Sequence, residues 1–536
     1  MNKYHFSVLL LAAFITSCGE NISPVDSGLE QQIFHYGNGS EPQGLDPHIV
    51  TGVPEHHILI ALCEGLTSSN PKGGAPLPGM AESWTLSDDG KVYTFKINKN
   101  AKWSNGDSVT AEDFVWSWKR VLTPSLGSQY TDMLYYVQGA KDYYDGKTDD
   151  FNTVGAKAID ELTFEVILEN PTPFFLGLLS HYSTWPVHKE TVLKHGKIDD
   201  RNGQWTRPGN FVCNGPMQLK SWKLNNKIVV EKNPFYWDAE TVTLNEMHFY
   251  PISNIMTEDR MFRAGQLHNT YTVPAQKCPV YIERGDSTLH IDPYMGTYFY
   301  RTNTLHPVLK DVKIRKALAY SINRQQIVEK VSQCGQAAAY SFTPPGASGY
   351  EPQTKMPYDI ELAKQLLAEA GYPNGEGFPV LEILFNTNED HRKIALAVQQ
   401  MWQANLGISV ELVNQDWKVY LSRERSGDFQ ISRAGWIGDY EDPNTFLDTL
   451  MPGRGNNKTG WDNKRYEELV NAANQTQDEE ERFELLRQAE TILIDEMPII
   501  PIYTYVRQYQ LSDDVKGWYP NYLDHHHPKY ISLERD

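Results

Sequence analysis

The sequence predicts a mixed α/β protein of more than one domain that is made for export. Three observations carry this. Residues 1–18 have the layout of a bacterial secretion signal, with Lys3 ahead of an almost unbroken apolar run from Phe6 to Ile15. Segments with the two-residue period of strands alternate with segments of helical period over the rest of the chain. The length of 536 residues exceeds what a single hydrophobic core usually supports.

At the start, Ile15-Thr16-Ser17-Cys18 places a cysteine directly after small residues. This is the pattern of a lipoprotein signal, so residues 1–17 are expected to be cleaved and Cys18 to carry lipid. An ordinary cleaved signal, with Cys18 incidental, is the plainer reading. The apolar run is well short of the ~20 residues that span a bilayer. Residues 18–31 are rich in Ser, Asn, Gly, Glu and Gln and read as a tether between lipid and fold.

Further along, Lys91 to Ile97 alternates, with Tyr93, Phe95 and Ile97 on one face after the Asp89-Gly90 turn. Leu162 to Leu168 and Lys227 to Glu231 read as further strands. Thr110-Ala-Glu-Asp113 has the form of a helix-starting capping box ahead of Phe114, Val115 and Trp118. Asp359 can cap a helix with Ala363, Leu366, Leu367 and Ala370 on one face, stopped by Gly371 and Pro373. Asp478 to Glu496 forms a longer amphipathic helix that feeds a strand-like run, Ile499 to Gln510.

The net charge of −19, with no long basic block, argues against nucleic-acid binding. Mean hydropathy is −0.51, and nothing after the signal is apolar enough to span a membrane. Setting Cys18 aside leaves Cys63, Cys213, Cys278 and Cys334, with no C-x-x-C spacing that would suggest zinc. An exported chain permits disulfides among these four, but the pairing stays open. Asp524-His-His-His-Pro528 is a tempting metal cluster. Adjacent histidines cannot easily share one tetrahedral ion, so it reads as a solvated loop, and neither a metal nor a cofactor is expected. Gly-x-Ser-x-Gly and His-Glu-x-x-His are both absent, which sets aside the main alternative class, a secreted hydrolase.

Several strings go beyond composition: Glu41-Pro-Gln-Gly-Leu-Asp-Pro-His48, Cys63-Glu-Gly-Leu66, Ala101-Lys-Trp-Ser-Asn-Gly-Asp107 running into Val109 to Trp118, Val312 to Leu318, and Ser432-Arg-Ala-Gly-Trp-Ile-Gly-Asp-Tyr440. Together and in this order they resemble the oligopeptide-binding proteins of peptide ABC importers, solute-binding family 5. The resemblance runs from about Phe34 to the C-terminus. It implies a periplasmic-binding-protein type II-like fold, two lobes closing about a hinge with an extra domain inserted. By position, lobe one would comprise 32–76, 200–298 and 507–536, the inserted domain 77–199 and lobe two 299–506. The implied partners are short peptides and the permease and ATPase subunits of an importer, with the binding protein itself monomeric.

A binder of many peptides must grip what all peptides share: an α-amine, a carboxylate and a backbone. Backbone is best held by strand addition, which serves any sequence. The resemblance assigns that role to Glu64, Gly65 and Leu66 and to Gly435, Trp436 and Ile437. It gives the amine to Asp439 and the carboxylate to Arg433, His391 and Lys330. Asp439 could instead simply cap a turn, His391 could be a surface histidine, and Arg433 could equally be structural, neutralising Glu64. Trp417, Trp436, Tyr271 and Tyr294 would wall the side-chain pockets, although aromatics of this kind also serve as core. Two departures stand out. A family arginine aligns with Glu424, flanked by Arg423 and Arg425, and a disulfide of close enteric relatives falls at Gly296 and Ile437. Within the family, a cell-wall tripeptide, haem or a metal chelate is the alternative ligand.

Overall fold

The computed structural model describes residues 22–535, so the signal, Cys18 and its lipidation lie outside it. The described part of the expected tether is not a free linker. Pro24–Gln31 is a helix, started by Ser23, whose side chain accepts from the Asp26 N–H, with Pro24 at the first turn. Val25 and Gly28 are buried, and Arg535 holds Asp26 at 2.9 Å. The lost freedom is offset because Gly28 lets the helix lie against Ile33 and His268, where a Cβ would collide.

Three main sheets organise the chain. The first has the order Ile33–Gly37, Glu246–Tyr250, Lys227–Lys232, Met217–Lys223, with only the Ile33–Gly37/Glu246–Tyr250 pair parallel. The second is antiparallel throughout, in the order Ala81–Leu86, Val92–Ile97, Thr163–Ile167, Ala156–Asp160. Phe95 and Phe164 are fully buried on it, covered by helix Ala111–Val121. That helix starts as its sequence predicts: the Asp113 carboxylate accepts from the Thr110 N–H at 2.8 Å. Arg120, at its far end, makes a bidentate pair with Asp46 at 2.9 and 2.6 Å and reaches His48 at 2.9 Å. The Leu-Asp-Pro-His string thus pins the second sheet's unit to the first.

The third sheet has six strands, in the order Ala337–Ala338, Ile499–Gln510, Leu289–Thr302, Ile431–Ile437, Leu381–Asn386, Val410–Gln415. Helices Ile360–Glu369, Glu389–Leu406 and Glu479–Glu496 accompany it. Asp359 and Asp478 cap the first and last of these as expected.

Two of the expected borders, at 298/299 and 506/507, fall inside continuous strands. Leu289–Thr302 and Ile499–Gln510 pair antiparallel across both borders. Their register jumps between Pro293 and Thr297, which face Val506 and Thr504. Two extra residues bulge out here, turning Tyr294 aside. Beside this pair, Cys278 bonds Cys334, which resolves the pairing left open by the sequence; Cys63 and Cys213 are free and buried. Gly296 faces Ile437 in register, so the two departed disulfide positions are neighbours filled by an isoleucine side chain.

Candidate functional site

A cavity with about 300 Å³ of room for water centres lies between the three units. The strand Ile431–Ile437 forms its floor. One edge of this strand is paired with Leu289–Thr302 along its whole length. The other edge meets Leu381–Asn386 only at Ile431 and Ser432. Past Ser432 that edge has no strand partner among the described residues, and Ala434 to Ile437 line the cavity. An unpaired edge presents N–H and C=O groups at strand spacing, the template for adding an extended chain. At Gly435 a Cβ would lie 2.6 Å from the Tyr505 hydroxyl, so glycine is what lets Tyr505 pack against the strand. Gly435, Trp436 and Ile437, expected to pair with a ligand backbone, all line the cavity.

Glu64, Gly65 and Leu66 are different. None lines the cavity, and their carbonyls are already taken: Asn214 donates to Glu64, Met80 to Gly65, and Gly79 and Ala81 to Leu66, at 2.8 to 3.1 Å. Nor does Glu64 meet Arg433. Its carboxylate accepts from Tyr236 at 3.0 Å and Trp237 at 2.7 Å, with Lys529 at 3.8 Å. The opposing main-chain wall is instead Thr51, Gly52 and Val53, which run extended into helix Val53–Leu62. Gly52 has only main chain to offer and borders Trp417. A glycine just before a helix gave no signal separable from an ordinary cap.

Asp439 sits beyond the strand's end. His181 Nε2 approaches Oδ1 at 3.3 Å, Tyr130 Oη donates to the same oxygen at 3.5 Å, and the Asp439 N–H donates to Thr445 Oγ1 at 3.0 Å. Oδ2 is buried and has no partner. Burial, then repulsion from Asp132, holds the carboxyl well above the usual carboxylate range. His181 is held well below the ordinary histidine value by burial, then by His56, and so is neutral. A buried carboxylate without a cation is costly, and an ammonium group at Oδ2 would relieve that cost.

Arg433 lies near the other end of the strand. It donates to Tyr505 Oη at 2.6 Å and Asn386 at 3.4 Å, lies 4.7 Å above the Tyr298 ring, and has no carboxylate partner among the described residues. His391 lines the cavity beside it, pushed well below the ordinary value by burial and then by Arg433. A ligand carboxylate would complete both. Lys330 is exposed and not on the cavity wall, because the π turn Val328–Ser332 carries it outward. Trp417, Trp436, Tyr271 and Tyr294 all line the cavity. Trp417 stacks on Tyr420 at 5.6 Å and reaches Glu55 at 3.4 Å. Glu424 is buried and paired with Arg301 and Ser432, both at 2.7 Å, so its charge is spent inside the protein.

The Asp524–His527 segment is not a solvated loop. Asp524 is 3% exposed and bonded to Arg507 at 2.5 Å and His526 at 2.9 Å, with His57 at 3.5 Å. The three adjacent histidines take separate partners: His525 bonds Ser69 at 2.7 Å and meets the His56 ring at 4.4 Å, His526 stacks on Trp518 at 3.7 Å, and His527 approaches Glu64 at 3.6 Å. Their run of polar letters concealed a core position, since each finds its partner far away in sequence.

A family model described as bacterial extracellular solute-binding proteins, family 5 Middle, matches residues 75–458. The chain is 38% identical over 525 residues to the periplasmic oligopeptide-binding protein OppA of Salmonella typhimurium, covering 96% of this chain and 94% of that one. Haemophilus influenzae OppA in complex with RPPGFSPFR superposes with a TM-score of 0.88 at 35% identity, over 94% of this chain and 99% of that one. The Escherichia coli murein tripeptide binding protein MppA superposes at 0.89, with 33% identity and coverage of 94% and 99%. Its unliganded open form, at 34% identity and coverage of 94% and 98%, reaches only 0.64. The lobes here thus stand as in the peptide complex rather than as in the open form.

Proposed function

The chain belongs to the bacterial extracellular solute-binding proteins, family 5, and from that premise we propose that it captures short peptides between its lobes and delivers them to an ABC permease. The observation that carries the reading is Asp439 Oδ2, buried at the cavity beyond an unpaired strand edge with no partner of its own. An α-amine fits that oxygen, and an extended backbone fits the edge from Ala434 to Ile437. Arg433 and His391 then receive a carboxylate. Trp417, Trp436, Tyr271 and Tyr294 are adaptable walls that tolerate varied side chains.

In this reading the two strands Leu289–Thr302 and Ile499–Gln510 are the hinge, and the units at 32–76, 200–298 and 507–536, at 77–199 and at 299–506 are first lobe, inserted domain and second lobe. Burying Asp439 without a cation opposes closure, so an empty protein stays open and a peptide amine licenses closing. Cleavage ahead of Cys18 and lipidation there would hold the protein, as a monomer, at the membrane that carries its permease; stable anchoring takes more than one acyl chain. Energy for release comes from the importer's ATPase.

Native mass spectrometry of the purified protein tests the function. Co-purifying intact short peptides, in one-to-one complexes, are expected. Turnover of an added peptide pool, or no retention of any peptide, would overturn the reading.

A further inference from the structure

Residues 432, 434 and 436 share the face of the site strand opposite Arg433. Ala434 is small and leaves space there, Trp436 closes one end, and the Glu424–Arg301 pair closes the other. Into this space comes Lys458. Its Nζ donates to Gln129 Oε1 of the inserted domain at 2.5 Å and to the Gly455 carbonyl. No carboxylate stands within 4.0 Å of it among the described residues, although the ammonium lies in the cavity wall. Arg425, bonded among the described residues only to Gln43 at 3.4 Å, adds another cation to the wall. Of the carboxylates near these three cations, Glu424 is already bound to Arg301 and Ser432. Burial, then the charge of Arg301, pulls the Lys458 amine down to about 8. Asp132 acts on it from further off and favours its charged form, while burial raises that carboxyl itself above the usual carboxylate range.

We propose that Lys458, backed by Arg301 and Arg425, is a second carboxylate-binding position of the cavity, on the Trp436 face and separate from Arg433, which makes the protein prefer ligands with a carboxylate there. The proposal rests on the peptide-binding reading. Gln129 adjoins Tyr130, which faces Asp439, so an acidic side chain near the peptide's amino end suits the position. A free C-terminus of a very short peptide offers the same chemistry. A contact that merely latches the lobes would instead strengthen all peptides alike.

Calorimetry with alanine peptides carrying one Glu or one Gln at successive positions tests this, run on the wild type, Lys458→Gln and Lys458→Arg. A charge-assisted hydrogen bond predicts a Glu over Gln preference of about tenfold or more at one position. Lys458→Gln should bring that ratio to about one, and Lys458→Arg should keep it. C-terminally amidated peptides separate the two sources. If only amidation produces a loss that depends on Lys458, the carboxylate is the terminus; if the Glu/Gln ratio depends on Lys458, it is the side chain. Either supports the position. All-alanine peptides that bind while neither effect depends on Lys458 would overturn it. Failure of every peptide to bind would instead overturn the peptide reading itself.

Discussion

Two buried carboxylates beside the same cavity have opposite surroundings. Asp524 is bound by Arg507, His526 and His57. Burial alone would raise its carboxyl, but the Arg507 charge and the two histidine contacts more than offset this and hold it well below the usual range. Asp439 has a neutral histidine, a long tyrosine contact and one bare oxygen, and stands well above the range. The difference separates structure from function. A completed buried pair holds elements together, here the C-terminal segment on strand Ile499–Gln510. An incomplete one, in the proposed function, waits for its partner from outside.

The largest effect should fall at the completed pair. Asp524→Ala leaves the Arg507 guanidinium buried without its counter-charge and should cost about 3–5 kcal/mol in denaturant unfolding. Asp439→Asn should leave unfolding free energy unchanged within about 0.5 kcal/mol or raise it, since it removes a buried carboxyl whose Oδ2 has no partner. Equal losses at both sites would erase the contrast.

Acid sharpens the contrast further. A carboxylate held low contributes stability above its unfolded value of about 3.8, lost only as pH falls through its folded value, so Asp524 is silent between pH 7 and 5. Buried histidines are not silent. Burial first, with neighbouring histidines, puts His56 and His35 at about 3; burial puts His268 at about 4. Their neutral forms contribute stability that is full above the unfolded value of about 6.5 and is lost as pH falls below it. Carboxyls raised by burial, Glu55 to about 7 and Glu258 to about 8, act in the opposite sense over the same range, so the test is made group by group. The ring signals of His56, His35 and His268 in NMR should not titrate between pH 7 and 5, and titration there would contradict their buried, neutral state. The smallest effect belongs to Tyr130→Phe. It removes one long hydrogen bond from Asp439 and should weaken peptide binding by about 1 kcal/mol or less in a direct titration.

Much of the fold was legible because it depends on local rules. The capping acids Asp113, Asp359 and Asp478, the alternating Val92–Ile97 and the strand Ile499–Gln510 all stand where period and capping put them. Resemblance placed Asp439, Arg433, His391 and the four aromatic walls on one cavity. What escaped depends on contacts between distant residues. Glu64 looked like a binding residue, but Asn214, Tyr236 and Trp237 consume it. The Asp524–His527 run looked solvated because its letters are polar, and its partners Arg507, Ser69 and Trp518 lie elsewhere in the chain. Lys458 carried no motif at all; what marks it is a half-buried ammonium in the cavity wall with no carboxylate beside it among the described residues.

The most direct measurement compares a short peptide with its N-acetylated twin by calorimetry, in the wild type and in Asp439→Asn. Losing one member of a buried charge pair costs about 2–5 kcal/mol, so acetylation should weaken wild-type binding by about thirtyfold or more. In Asp439→Asn the two peptides should bind nearly alike. An acetylated peptide that binds the wild type as tightly as the free one would contradict the assignment of Asp439 to the ligand amine.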